Sequence, residues 1–135
     1  MIGGSDGDTI TVLSGRTPTK VRLHGIDAPE TGQDYGSRAK QVASEIAFGK
    51  NVTVRAIEKD HYGRTVAEVI PPDGRSMNRE MVGQGAAWWY RECAPADGRL
   101  ARLESEAKAT RRGLWGQPNP VPPWEWRRGV RRRSR

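Results

Sequence analysis

Short runs of alternating apolar and polar residues, punctuated by turns and interrupted by one helical stretch, constrain this 135-residue chain most. Residues 8–13 set Ile10 and Val12 on one face and Thr9 and Thr11 on the other, the two-residue period of a half-buried strand. Gly15 to Pro18 supplies a turn, and residues 19–24 alternate again with Val21 and Leu23 facing in. Arg22 and His24 must then face out, because successive side chains of a strand point to opposite faces. Further strands are predicted at 51–57 and 64–70, the second ended by Pro71-Pro72-Asp73-Gly74. Tyr35 to Phe48 carries Ala39, Val42, Ala43 and Ile46 at helical spacing, with Gly49 as its stop. A short helix at 77–83 and a strand near 86–90 follow. A last helix over about 98–112 pairs Glu104 with Lys108 and stops at Gly113. This order predicts a mainly β fold with α, a five-stranded Greek-key barrel of the OB type with about three helices packed on one side.

The length fits one domain, expected over residues 1–128, and no apolar run approaches the roughly 20 residues that span a bilayer. Met1 to Ser5 shows neither the basic nor the apolar part of a signal peptide. Those five residues include only Ile2 as a sizeable β-branched side chain, and Gly3, Gly4 and Ser5 are poor strand formers, so the first strand is expected to be truncated. Cys93 has no cysteine partner, and with His24 and His61 as the sole histidines a zinc site is not expected. The net charge of +7 is concentrated at one end. Six of the 23 basic residues stand at or after Arg127, which leaves residues 1–126 at about +1. Residues 129–135 are expected to form a basic, disordered tail that attracts polyanions without reading sequence.

Chemistry-bearing residues gather in four segments: Asp6-Gly7-Asp8-Thr9, Arg22, Asp27-Ala28-Pro29-Glu30 and Asp60-His61-Tyr62-Gly63-Arg64. Carboxylates are hard oxygen ligands suited to Ca²⁺ or Mg²⁺, and the planar fork of arginine suits phosphate. Together they point to metal-assisted phosphodiester hydrolysis, provided the fold joins them. Taken singly, each segment has a plainer reading: a turn, a helix N-terminus with Pro at its first position, and a β-turn. An EF-hand is excluded, since Ile10 and Thr11 stand where its loop needs oxygen donors and glycine.

The string Asp6 to Ile10, then Val21 to Thr31, then Asp60 to Arg64 resembles the staphylococcal nuclease (thermonuclease) family. So do the endings Gly113-Leu114-Trp115 and Pro122-Pro123-Trp124-Glu125-Trp126-Arg127-Arg128. The resemblance spans about residues 6–128. It implies an OB barrel and a Ca²⁺-dependent enzyme that cleaves DNA and RNA, leaving a 3′-phosphate and a 5′-hydroxyl. By that resemblance Asp8 and Asp27 are Ca²⁺ ligands together with the backbone carbonyl of Ala28, and Asp6 orients the metal and its waters. Glu30 positions or deprotonates the attacking water, while Arg22 and Arg64 bind the scissile phosphate. His61, Tyr62, Tyr90 and Arg91 are the candidate substrate contacts. Secretion or a periplasmic location is the expectation from family members, and a monomer is expected.

Departures from the family pattern are informative too. His61 replaces a lysine of some members, and the loop between Thr31 and Tyr35 is short. Arg91 and Cys93 stand where the family often has two base-stacking tyrosines. Tyr90 or one of Trp88 and Trp89 is expected to take their place, since adjacent strand residues face opposite ways and one tryptophan should be outward. Trp124 and Trp126 are expected to pin the C-terminal segment to the barrel. The competing reading is a non-catalytic nucleic-acid-binding module or a truncated inactive nuclease on the same fold. The joint presence of Asp8, Arg22, Asp27, Glu30 and Arg64 favours catalysis.

Overall fold

The computed structural model describes the backbone of residues 1–133 and the side chains of residues 1–129. Five strands form one sheet in the order β1-β2-β3-β6-β5: β1 (Gly3–Asp6), β2 (Thr9–Ser14), β3 (Thr17–Leu23), β5 (Thr53–Lys59) and β6 (Thr65–Ile70). Neighbours are antiparallel except β3 and β6, which run parallel. Two short strands, β4 (Ile26–Asp27) and β7 (Trp88–Trp89), pair with each other. Helix α1 (Gly36–Ala47) lies between β4 and β5, and α2 (Met77–Gly83) between β6 and β7. Helices α3 (Gly98–Ala109) and α4 (Pro123–Arg133) come after β7, with a 3-10 turn at Gly113–Gly116 between them. This is the OB-type architecture that the alternation predicts. Among the described residues, no helix is long and apolar enough to cross a membrane.

The inward faces of the strands and α1 build the core from Ile10, Val21, Leu23, Ala39, Ala43 and Val69, all buried. α2 closes one end with Met77, Met81 and Val82. Ser76 and Asp97 cap α2 and α3 by accepting from the N–H groups of Arg79 and Leu100. Buried Asn78 locks three segments together. Its Oδ1 accepts from the Val69 N–H, and its Nδ2 donates to the carbonyls of His24 and Ala67.

The first strand forms despite Gly3, Gly4 and Ser5, because tertiary contacts outweigh their weak propensity. Ile2 N–H donates to Thr11, β1 pairs with β2, and the Met1 side chain enters the core. Its terminal ammonium donates to the Lys50 carbonyl at 2.8 Å, which joins the start of the chain to the approach of β5. The strand expected near 86–90 contracts to Trp88–Trp89, since Tyr90 leaves it to donate to the Gly25 carbonyl. The expected tail 129–135 continues α4 through Arg133, while Ser134 and Arg135 lie outside the described residues.

Gly36 links fold to site. A Cβ there would stand 1.8 Å from the Glu30 carbonyl oxygen, so any side chain must push apart the start of α1 and the turn that carries Glu30. Gly36→Ala is expected to cost roughly 3 kcal/mol or more, the scale of a severe backbone clash. A urea midpoint equal to that of the wild type would contradict this.

Candidate active site

Strand register brings the separate segments to one place. Arg22 lies opposite Thr9 on β2 and opposite Val66 on β6. Arg64, two residues before Val66, therefore shares the face of Arg22, and the parallel pairing sets both arginines at the same end of the barrel. The Asp8 carbonyl accepts from Leu23 N–H at 2.8 Å, fixing the β1–β2 turn beside them. On β5 the register slips between Ala56 and Glu58, so Glu58 rather than Ile57 lies opposite Val66.

The result is a cleft of about 500 Å³ lined by Asp6, Asp8, Arg22, Glu30, Glu58, Asp60, His61, Tyr62, Arg64, Tyr90, Cys93 and Arg127, among others. Asp27 lies beneath it, only 1% exposed, held in β4 by pairing with Trp88. Counted with Asp27, six carboxylates face three guanidinium groups, a formal charge of −3.

Among the predicted acid–arginine residues Arg22 joins Asp8 and Asp27 directly, while Asp6, Glu30 and Arg64 are held by neighbours outside that set. The Arg22 Nη1 pairs with Asp8 Oδ2, and its Nη2 lies 3.7 Å from Asp27 and donates to the Ile26 carbonyl at 3.1 Å. Asp8 Oδ2 also accepts from the Ala28 N–H at 2.8 Å, tying Asp8 to the segment that carries Asp27. Asp6 Oδ1 accepts from both the N–H and the hydroxyl of Thr31, so it braces the loop after Glu30. Arg64 pairs through Nε with Asp60 Oδ2 at 2.7 Å.

Burial and charge set the protonation tendencies. Burial pushes Asp27 up to about 6, reinforced by the negative charge of Asp8 and opposed by Arg127 and Arg22. Arg22 is held above its ordinary value: burial works against its charge, but Asp8 and Asp27 outweigh that. Desolvation works against the charge of Asp60, but the N–H groups of Arg64 and Tyr62 and the Arg64 guanidinium together outweigh it and hold Asp60 below its ordinary value.

Arg127 is the member that the sequence did not signal as part of the site. From α4 its Nη2 donates to Asp27 Oδ2 at 2.8 Å and its Nη1 to Glu30 Oε1 at 2.9 Å. The available signal was its spacing from Trp124, three residues back and hence on the same helical face. Trp124 stacks on Tyr90 at 5.3 Å and meets Trp88 edge-on, so that face is the docked one.

The expected substrate contacts divide. His61 and Tyr62 sit exposed on the rim with rings 4.1 Å apart, and Tyr90 lines the cleft with its hydroxyl donating to Glu92. Arg91 does not reach the cleft: its guanidinium lies 4.9 Å over the Trp89 ring, a cation–π contact that turns it away. The expectation of an outward tryptophan also fails. Trp88 is buried against Trp115, and Trp89 donates its indole N–H to the Ala94 carbonyl.

Similarity to known proteins agrees with this arrangement. The family model described as staphylococcal nuclease homologue matches residues 20–117. An uncharacterized endonuclease of Escherichia coli O157:H7 is 46% identical over 122 residues, covering 90% of this chain and 79% of that protein. A micrococcal nuclease of Shigella flexneri is 45% identical over 132 residues, covering 91% of this chain and 76% of that protein. The staphylococcal-like nuclease CAN1 of Arabidopsis thaliana is 37% identical over 112 residues, covering 83% of this chain and 34% of that protein.

The raised Asp27 value has a stability consequence in metal-free protein. Its folded value, about 6, exceeds the ordinary 3.8, so between those limits the folded state keeps a proton that the unfolded chain releases. Stability associated with Asp27 is thus present below about pH 4 and lost as pH rises through about 6, by roughly 3 kcal/mol at most. In chelator, urea unfolding is expected to show the wild type losing stability relative to Asp27→Asn across that window. Parallel pH profiles would contradict it.

Proposed function

The chain belongs to the staphylococcal nuclease family, and we propose that it is a Ca²⁺-dependent nuclease that hydrolyses phosphodiester bonds. It would cleave DNA and RNA at the bond to the 5′-oxygen, leaving 3′-phosphate and 5′-hydroxyl ends. The observation that carries this reading is the meeting of Asp8, Asp27, Glu30 and Arg22 in one cleft, with Arg64 on the same strand face.

The donor chemistry fits a hard divalent cation. Asp8 and Asp27 are both buried carboxylates that repel one another, and a cleft of formal charge −3 repels a polyanion until a cation enters. Among the described residues, no group of three or more His, Cys, Asp or Glu side chains could hold a metal ion. The ligands implied by the family resemblance would be the carboxylates of Asp8 and Asp27 and the Ala28 carbonyl, with water or phosphate oxygen completing the shell. When bound, Ca²⁺ would offset the phosphodiester charge and make a water molecule more acidic.

The protein's own groups supply the rest. Glu30, whose Oε1 accepts from Arg127 in the metal-free protein, would align or deprotonate the attacking water with its carboxylate. Arg22 has its fork spread between Asp8 and Asp27, so it would both space the two carboxylates and face a phosphate at their mouth. Arg64 uses Nε for Asp60, which leaves its Nη atoms to donate to phosphate oxygens as charge builds in the transition state. Tyr62, 75% exposed beside His61, offers a ring face on which an unpaired base can stack. Asp6, through Thr31, would keep the loop of Glu30 in register with the cation ligands.

Glu30→Gln and Arg64→Ala are each expected to lower kcat by roughly 10²-fold or more, the loss typical of a transition-state donor. Steady-state hydrolysis of single-stranded DNA measures this, and near-normal turnover in Glu30→Gln would remove Glu30 from the mechanism. Chelation is expected to abolish hydrolysis and Ca²⁺ to restore it. Mg²⁺ should restore far less, because it holds a strict octahedron and gives up its waters reluctantly. Equal rates in Mg²⁺ would overturn the Ca²⁺ assignment.

A further inference from the structure

We propose that Arg127 is a displaceable plug: α4 seats its guanidinium on Asp27 and Glu30, where a divalent cation must approach, so cation binding and Arg127 docking exclude one another. This rests on the Ca²⁺ reading above and adds a competitor built into the same chain.

The geometry leaves little room for both. Arg127 Nη2 lies 2.8 Å from Asp27 Oδ2, and Nη1 lies 3.4 Å from Oδ1 and 2.9 Å from Glu30 Oε1. Both oxygens of Asp27 are therefore engaged. The Asp27 side chain is 1% exposed, while that of Arg127 is 33% exposed, so Arg127 covers the carboxylate on its cleft side. Ca²⁺ binds carboxylate oxygens at about 2.3–2.6 Å, inside the space that the guanidinium fills. Two cations on these oxygens would also repel at short range.

The contact is built rather than incidental. Trp124 stacks on Tyr90 with planes 13° apart, and the Trp126 ring lies 3.4 Å from where a Cβ of Gly32 would stand. The Val121 carbonyl accepts from Gln33 Nε2 at 2.6 Å. These anchors hold the start of α4 against Tyr90 and the loop after Glu30 without using the ion pair. Because these contacts do not involve the ion pair, a displaced Arg127 would stay at the cleft, facing the space a substrate phosphate would enter.

Two consequences follow. The apparent Ca²⁺ affinity of the free protein is lowered by the fraction of molecules in which Arg127 is docked. A nucleotide phosphate that draws Arg127 away strengthens Ca²⁺ binding, and Ca²⁺ strengthens nucleotide binding by the same factor.

Calorimetric titration of the full metal-stripped chain with CaCl₂, without substrate, tests this. Arg127→Gln is expected to bind Ca²⁺ at least tenfold more tightly than the wild type. Arg128→Gln removes the same charge from the next residue, an exposed one, and is expected to change affinity less than twofold. Equal gains in both variants would reveal a general charge effect and overturn the plug, as would unchanged or weaker binding in Arg127→Gln. If Arg127→Gln does not fold, Trp124→Leu loosens α4 while leaving the carboxylates and guanidinium in place. It is then expected to bind Ca²⁺ severalfold more tightly, and unchanged affinity would overturn the plug. Absence of Ca²⁺ binding in wild type and every variant would remove the cation reading and the plug together. Wild-type binding with an unresponsive Arg127→Gln would remove the plug alone.

Discussion

Two buried carboxylates, Asp8 and Asp27, govern how this molecule is put together. Taking an ionised carboxylate out of water costs several kcal/mol unless opposite charge and hydrogen bonds replace the lost hydration. Asp8 is 5% exposed and Asp27 1% exposed, so the fold must bring partners to both. Arg22 serves Asp8 and reaches toward Asp27, the Ala28 N–H serves Asp8 again, and Arg127 takes both oxygens of Asp27. The exchange is unequal. Arg127 gains from the pair and is held further in its charged form, while Asp27 still sits above its ordinary value because burial dominates.

The topology around these groups serves the same end. Parallel pairing of β3 with β6 sets Arg22 and the Arg64 turn at one end of the sheet, which an all-antiparallel hairpin stack would not do. Pairing of β4 with β7 holds Asp27 against Trp88, whose neighbour Trp89 has its backbone N–H taken by buried Glu104 at 2.7 Å. Thus α3, which contributes no residue to the cleft, still positions Asp27 through β7. The negative charge of Asp8 beside Asp27 works against the stability of this arrangement.

Much of this was legible in the sequence because the signals are local. Alternation located β2, β3, β5 and β6 to within two residues at each end, and Met77–Gly83 is the short helix expected at 77–83. The candidate site residues came from the resemblance of their segments to a known family, and Asp6, Asp8, Arg22, Glu30 and Arg64 line one cleft over Asp27. What escaped depends on distant partners. β1 is made of residues with poor strand propensity and exists through Thr11, Lys50 and the core around Met1. β4 is two residues long and is a strand only because Trp88–Trp89 lies beside it. Arg127 read as part of an arginine-rich end, since nothing local tells an arginine for solvent from one aimed at a carboxylate 100 positions earlier. Arg91 was misplaced for the related reason that the Trp89 ring competes for it.

The most direct measurement is the mass of the products released from a short single-stranded DNA with a known sequence, incubated with the protein in Ca²⁺ and in chelator. Hydrolysis assisted by the Asp8–Asp27 cation site should give fragments with 3′-phosphate and 5′-hydroxyl ends in Ca²⁺ and intact oligonucleotide in chelator. Fragments with 5′-phosphate ends, or cleavage that proceeds equally in chelator, would contradict it.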